Sequence, residues 1–176
     1  MRVVAGTSGG IRLLTPEGAD IRPTSDRIRE SIFNALYSRS AIEGAEVLDL
    51  FAGTGALGIE ALSRGAKKAT FVDNFPESLE LVKKNIEKSG FQKKAQIVNG
   101  NSMEWLHKSS DFWDLVFLDP PYDFESWSEL LDLVAEKKPE TVVIESNREI
   151  DPGLKWDVDS IRRYGSSVVV IINLKK

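Results

Sequence analysis

Four consecutive residues, Asp119-Pro120-Pro121-Tyr122, have the types and spacing that could do chemistry. They follow the apolar stretch 113–118, which predicts a buried strand, and proline ends a strand because it supplies no N–H to the sheet. Such a turn presents the Asp119 carboxylate, the Pro120 carbonyl and the Tyr122 ring together in the crevice where open α/β sheets bind ligands. Two oxygen acceptors can hold the hydrogens of a nucleobase amine while the ring stacks on the base. The turn therefore predicts catalysis at an exocyclic amine.

A second motif, Gly-Thr-Gly-Ala-Leu-Gly at 53–58, lies between a predicted strand and a predicted helix. Asp73 follows about 20 residues after Gly53, as in the dinucleotide-binding fingerprint, so a dinucleotide-dependent oxidoreductase is one candidate. Asp49 favours another candidate. Its carboxylate, inside the strand before the turn, would repel a pyrophosphate but attract the ammonium and sulfonium groups of S-adenosylmethionine.

Predicted strands and helices alternate along the chain. These elements must position the two motifs. We predict strands over 47–51, 69–73, 96–98, 113–118 and 141–145, and a final hairpin formed by 157–163 and 167–174. We predict helices over 56–64, 76–89 and 125–136, and a short helix ending at 106. This alternation is typical of a doubly wound, mainly parallel α/β sheet.

Residues 1–40 are predicted to form an extension that packs on a core of residues 41–176, within a single domain. A β-hairpin is expected over 2–14, around a glycine-rich connection, and a helix capped by Thr24 or Ser25 follows. The extension holds six arginines against four acidic residues, whereas the whole chain has a net charge of −4. This asymmetry allows a basic face on an acidic body.

Composition excludes several kinds of site. The chain has no cysteine and one histidine, His107, so disulfides, thiolate metal sites and multi-histidine metal sites are excluded, and we predict no metal. The longest apolar run, 168–172, is far shorter than the roughly 20 residues that span a bilayer. We therefore expect a cytoplasmic protein with no membrane partner.

Three stretches together resemble a known family. The stretches 22–36 (Arg-Pro-Thr-Ser-Asp-Arg-Ile-Arg-Glu-Ser-Ile-Phe-Asn-Ala-Leu) and 47–66, together with Asp-Pro-Pro-Tyr, are similar to the bacterial RsmD-type methyltransferases. That family methylates N2 of a guanine in small-subunit ribosomal RNA. The resemblance implies a class I, Rossmann-like, seven-stranded sheet, S-adenosylmethionine as cofactor, and ribosomal RNA as partner, either free or within an assembling small subunit. We expect a monomer.

The resemblance also implies roles for individual residues. The target guanine would be held by the catalytic residues Asp119, Pro120, Pro121 and Tyr122. The cofactor would be bound by Asp49, Phe51, Ala52, Gly53, Thr54, Gly55, Asp73, Asn74, Asn101, Ser102 and Asp119. The RNA would contact Arg22, Thr24, Arg27, Arg29, Asn34 and Tyr122. Asn101 departs from the family pattern, because many relatives of this fold have an aspartate there.

Alternatives to this function come from different classes. A DNA adenine-N6 methyltransferase uses the same tetrapeptide, but the chain has no obvious further domain for reading a DNA sequence. The dinucleotide-dependent oxidoreductase is disfavoured by Asp49. A non-catalytic RNA-binding module is disfavoured by the intact Asp-Pro-Pro-Tyr sequence.

Overall fold

The alternating strands assemble into one sheet in the computed structural model, which describes residues 1–16 and 25–176. The strands in chain order are β1 (Glu46–Asp49), β2 (Lys68–Asp73), β3 (Ala95–Asn99), β4 (Leu115–Leu118), β5 (Thr141–Ser146), β6 (Trp156–Tyr164) and β7 (Ser167–Leu174). Their spatial order is β3-β2-β1-β4-β5-β7-β6. β1 to β5 pair in parallel, and β7 pairs antiparallel with both β5 and β6. The predicted doubly wound, mainly parallel α/β fold is confirmed.

Five helices are found in the described ranges: α1 (Asp26–Tyr37), α2 (Ala56–Ser63), α3 (Pro76–Ser89), α4 (Ser102–Lys108) and α5 (Trp127–Glu136). Local signals explain their ends. Ser25 caps α1, since its side chain accepts a hydrogen bond from the Ile28 N–H. α3 begins with a proline, whose missing N–H is not needed there, and ends at Gly90, which adopts φ 79°.

The two faces of the sheet bury separate hydrophobic clusters. One cluster contains residues of α1, α2 and α3 together with Val47, Phe71 and Phe117 of the central strands. The other contains residues of α4 and α5 together with Leu48 and Val116. Neighbouring residues of one strand thus face opposite helical layers, which is why the central strand β4, buried along its whole length, is entirely apolar.

The N-terminal segment forms less sheet than the predicted hairpin. Its antiparallel pairing in the described residues is an isolated bridge between Arg2 and Arg12. The Glu60 carboxylate of α2 accepts the N–H groups of Val4 at 2.7 Å and Ala5 at 3.0 Å. Because these backbone groups bind the core, they are not available to extend a ladder beyond that bridge.

None of the helices in the described ranges combines the length and apolar character needed to cross a bilayer.

Candidate functional site

A cavity of about 760 Å³ opens at the carboxyl ends of the parallel strands. Carboxyl ends of parallel strands are where open α/β sheets bind ligands, beside the point at which the strand order reverses. Most residues predicted for the cofactor and for catalysis line this one cavity: Asp49, Phe51, Ala52, Gly53, Thr54, Asp73, Asn74, Asn101, Ser102, Asp119, Pro120, Pro121 and Tyr122. The structure therefore brings the two sequence motifs to one place.

Three glycines between β1 and the first turn of α2 have different structural roles. Gly53 adopts φ 54° and lines the cavity. Gly55 adopts φ 77° and is the N-cap of α2; it is buried behind the turn, away from the cavity wall. Gly58 allows α2 to pack on β2, since a Cβ at this position would lie 2.4 Å from the Phe71 ring.

Two aspartate side chains accept backbone N–H groups where the glycine turn meets α2. Asp49 Oδ2 accepts the Gly58 N–H at 2.9 Å, and Asp73 Oδ2 accepts the Gly53 N–H at 2.8 Å. The other Asp73 oxygen accepts the Phe75 N–H at 2.9 Å. A dinucleotide phosphate at this helix N-terminus would lie beside two acidic side chains that already use two of the nearby N–H donors, which disfavours the oxidoreductase alternative.

The cavity floor is strongly acidic. Asp49 is 2% exposed, and burial raises its pKa to about 7; the Gly58 N–H opposes this rise and the charge of Asp73 adds to it. The pKa of Asp119 is also raised well above its usual range by burial and by the nearby charges of Glu145 and Asp49. Such a floor is costly without a cation, so its chemistry fits a positively charged ligand.

Asp119 starts the turn that follows β4. Hydrogen bonds within this turn and from Arg148 fix its backbone. Phe124 N–H donates to the Pro121 carbonyl at 2.9 Å, and Arg148 donates to the carbonyl oxygens of Tyr122 and Phe124 at 3.4 and 3.3 Å. Tyr122 remains 40% exposed, and its hydroxyl lies 3.4 Å from Ser167 Oγ. The ring is thus available for stacking while the backbone of its turn is fixed.

Asn101 and Ser102 link the cavity to α4. Asn101 Oδ1 accepts the N–H groups of Met103 and Glu104, at 3.0 and 3.1 Å, as the N-cap of this helix. Ser102 Oγ donates to the Leu50 carbonyl at 2.6 Å. With its oxygen used by the cap, Asn101 offers the cavity its amide N–H donors.

The RNA contacts predicted in residues 1–40 fall into three groups: those outside the described residues, those that are exposed, and one that is buried. Arg22 and Thr24 lie outside the described residues. Arg27 and Asn34 are exposed on α1, as expected of residues that could face RNA.

Arg29, in contrast, is not placed as predicted for an RNA contact. The residue is fully buried, and its guanidinium pairs with Asp26 at 2.7 Å, so it does not face RNA. The signal was present in the sequence, because positions 29, 32, 33 and 36 fall on one helical face, and the last three are apolar.

Several lining residues were missed: Met1, Pro16, Ala56, Leu57, Phe75, Ser78, Met103, Phe124 and Glu145. Glu145 had a recognisable signal, since it closes a predicted strand as Asp119 follows one. Phe75 and Ser78 follow Asp73 closely, and their type alone did not indicate a site. Across residues 1–16 and 25–176, no cluster of three or more His, Asp or Glu side chains could hold a metal ion.

Comparison with known proteins agrees with this geometry. A family model described as Conserved hypothetical protein 95 matches residues 1–173. Ribosomal RNA small subunit methyltransferase D of Haemophilus influenzae is 36% identical over 149 residues, which cover 81% of this chain and 76% of that protein. The protein of the same name from Escherichia coli K12 is 35% identical over 158 residues, covering 88% of this chain and 77% of that one.

Solved structures show the same fold. The Escherichia coli protein yhhF has a TM-score of 0.87 at 30% identity, covering 99% of this chain and 98% of that one. The protein SMU.776, solved in complex with SAH, has a TM-score of 0.71 at 17% identity, covering 85% of this chain and 49% of that one. At 17% identity this likeness shows a shared fold, and the bound SAH is a ligand of SMU.776. By its family match and its relatives, the chain belongs to the Conserved hypothetical protein 95 family, the RsmD-type ribosomal RNA methyltransferases.

Proposed function

We propose that this protein transfers a methyl group from S-adenosylmethionine to the exocyclic N2 of a guanine in small-subunit ribosomal RNA. One observation carries the proposal: a single cavity is lined both by the acidic glycine turn after β1 and by Asp119-Pro120-Pro121-Tyr122. A cofactor and a flat base with an amino group can therefore meet at Asp119. The relatives named small subunit methyltransferase D support the choice of RNA.

The residues of the cavity fit the proposed cofactor. Bound S-adenosylmethionine supplies a methyl group that its sulfonium has already activated. Asp49 would hold the ammonium group, because a nearby cation favours the ionised form of a carboxyl that burial otherwise keeps partly protonated. Asp73 would accept the ribose hydroxyls, since each carboxylate oxygen has a second lone pair beyond the one that its backbone donor uses.

Asp119, Pro120 and Tyr122 would hold the guanine. The Asp119 carboxylate and the Pro120 carbonyl accept the two hydrogens of the amine, which turns its lone pair towards the methyl donor, while the Tyr122 ring stacks on the base. The raised pKa of Asp119 also suits it to take the amine proton at a carboxylate oxygen after transfer. Alignment of the reacting atoms would provide most of the acceleration.

The RNA would approach over α1, where Arg27 and Asn34 are exposed. We further propose that the enzyme works as a monomer in the cytoplasm, on free RNA or on an assembling small subunit. The weak positive charge of residues 1–40 supports a modest electrostatic contribution, so binding should depend less steeply on salt than that of a strongly basic RNA-binding protein.

Transfer of labelled methyl groups tests the proposal. The acceptors are naked ribosomal RNA, small subunits that lack the modification, and duplex DNA, each followed by nucleoside analysis. Label in N2-methylguanosine of RNA or subunits is the expected result. Label in N6-methyladenine of DNA would keep the methyltransferase and overturn its substrate, and a lack of label on all three acceptors, with cofactor binding intact, would reject the proposed reaction.

A further inference from the structure

Glu145 places a second carboxylate beside Asp119. Leu118 of β4 pairs with Ile144 of β5 in parallel register, so the residue after each of them is the next step along neighbouring strands. Paired positions point to the same face of a sheet, and neighbouring strands lie about 4.8 Å apart. Glu145 is 5% exposed, and it lines the same cavity as Asp119.

The surroundings of Glu145 support a negative charge at this position. Arg29 of α1, fully buried beneath the sheet, attracts the Glu145 carboxylate. Ser167, at the start of β7, donates to Glu145 Oε1 at 3.3 Å. The hydroxyl donor and the attraction of the buried cation both favour the ionised form of Glu145 at the cavity wall.

Two neighbouring carboxylates match the hydrogen-bonding groups of one base edge better than those of the others. On the Watson–Crick edge of guanine, the N2 amine and the N1–H are neighbouring donors. On the corresponding edge of adenine, the N6 amine lies next to N1, which is an acceptor. A carboxylate beside the one that binds the amine would accept the N1–H of guanine, but it would be repelled by N1 of adenine.

We propose that Glu145 is a specificity-determining residue that accepts the N1–H of the target guanine while Asp119 accepts a hydrogen of its N2 amine. This inference rests on the proposed function and deepens it, since it explains how one Asp-Pro-Pro-Tyr turn can select guanine. Glu145 makes no bond to the transferred methyl group, so its effect is on which base is chosen.

A competing role for Glu145 is purely structural. Ser167 Oγ lies 3.4 Å from the Tyr122 hydroxyl as well as within reach of Glu145, so Glu145 could act by positioning the Tyr122 ring. In that case removal of the Ser167 hydroxyl would have the same effect as removal of the Glu145 charge, and the choice of base would not change. Ser167→Ala separates the two roles.

The experiment replaces the target guanine with 2-aminopurine, which keeps the amine at C2 but has an acceptor at N1. The analogue is ligated into small-subunit RNA at the position where the labelling experiment finds N2-methylguanosine. The kcat/KM is measured for both bases with the wild type, with Glu145→Gln, with Ser167→Ala and with Glu149→Gln, whose exposed side chain serves as the control. Thermal unfolding and cofactor affinity are measured on every variant.

We expect the wild type to prefer guanine by about 100-fold or more, as a site does when it is built around a donor that the analogue lacks. Glutamine presents an N–H that can pair with N1 of 2-aminopurine, so Glu145→Gln should lower this preference at least about tenfold. Ser167→Ala and Glu149→Gln should retain the wild-type preference.

Several results would overturn the inference. If the wild type has the same kcat/KM for guanine and for 2-aminopurine, the inference fails, and this result does not depend on whether Glu145→Gln folds. An unchanged preference in a folded Glu145→Gln protein would do so as well, whether its activity is retained or falls equally on both bases. If the wild type forms no N2-methylguanosine on any RNA, the proposed function itself fails, and the labelling experiment shows this separately.

Discussion

Replacing Asp49 by asparagine should stabilise the cofactor-free protein at neutral and alkaline pH. The folded protein raises the pKa of Asp49 to about 7, chiefly by burying it, whereas an aspartate in an unfolded chain titrates near about 3.9. The folded state therefore binds this proton more tightly than the unfolded state. The contribution of Asp49 to stability is therefore most favourable below about pH 4, decreases as the pH rises towards about 7, and stays reduced above it.

The size of the effect follows from the two pKa values. A difference of about 3 pH units at about 1.4 kcal/mol each costs the folded state about 4 kcal/mol at about pH 8. Asparagine carries no charge, and its side-chain oxygen can still accept the Gly58 N–H. Asp49→Asn should therefore raise the free energy of unfolding by roughly 2 to 4 kcal/mol at about pH 8 and by much less at about pH 5.

Cofactor binding should change in the opposite direction. The ionised Asp49 would pair with the ammonium group, and a charge-assisted hydrogen bond contributes roughly 1.5 to 3 kcal/mol, so Asp49→Asn should weaken binding about 10- to 100-fold. In the wild type, affinity should rise up to about tenfold per pH unit until the pH reaches about 7, because only the ionised carboxylate offers this pairing. The variant should lose that pH dependence.

Urea denaturation and calorimetric titration with S-adenosylhomocysteine, each between about pH 5 and pH 8, measure both effects. Asp111→Asn, at an exposed aspartate in the loop before β4, is the matched control and should change neither quantity. A stability change of Asp49→Asn that is negative or independent of pH would refute the burial argument. An unchanged affinity at about pH 8 would refute the assignment of Asp49 to the cofactor.

Three further variants test other parts of the structure. Asp119→Ala should lower kcat about 100-fold or more, far more than it weakens cofactor binding, and wild-type turnover would contradict the proposed mechanism. Glu60→Ala removes the buried acceptor of two N–H groups of the N-terminal segment, so urea denaturation should show a loss of about 3 kcal/mol; no loss would mean that this contact does not hold the segment. Gly58→Ala places a Cβ 2.4 Å from the Phe71 ring and should cost about 1 to 3 kcal/mol in the same assay, and a neutral result would show that α2 shifts freely.

The fold could be predicted from local sequence because its signals are local. A proline and a glycine mark the ends of α3, which runs over Pro76–Ser89 as predicted, and alternating apolar strands and amphipathic helices indicate a parallel sheet without knowledge of strand order. The members of the candidate site could be predicted for a related reason. Acidic and polar residues that follow parallel strands must gather at one edge of the sheet.

The choice among ligands and roles depended on contacts between distant parts of the chain. Asp49 and Asp73 accept N–H groups of α2 and of the glycine turn because α2 and β2 pack beside β1, and these contacts disfavour a pyrophosphate. Arg29 was misassigned because an arginine near a helix start is usually exposed, whereas here α1 lies on the sheet with that side facing inward.

For Glu145, too, the sequence determined the residue type and the tertiary structure determined its neighbour. The sequence by itself determined that the predicted strand 141–145 ends in an acid and that the predicted strand 113–118 leads into Asp119. Only the tertiary structure decided that these two residues are neighbours, because the pairing of Leu118 with Ile144 is a register between strands more than twenty residues apart. Registers of this kind depend on the packing of whole layers, and no short stretch of sequence encodes them.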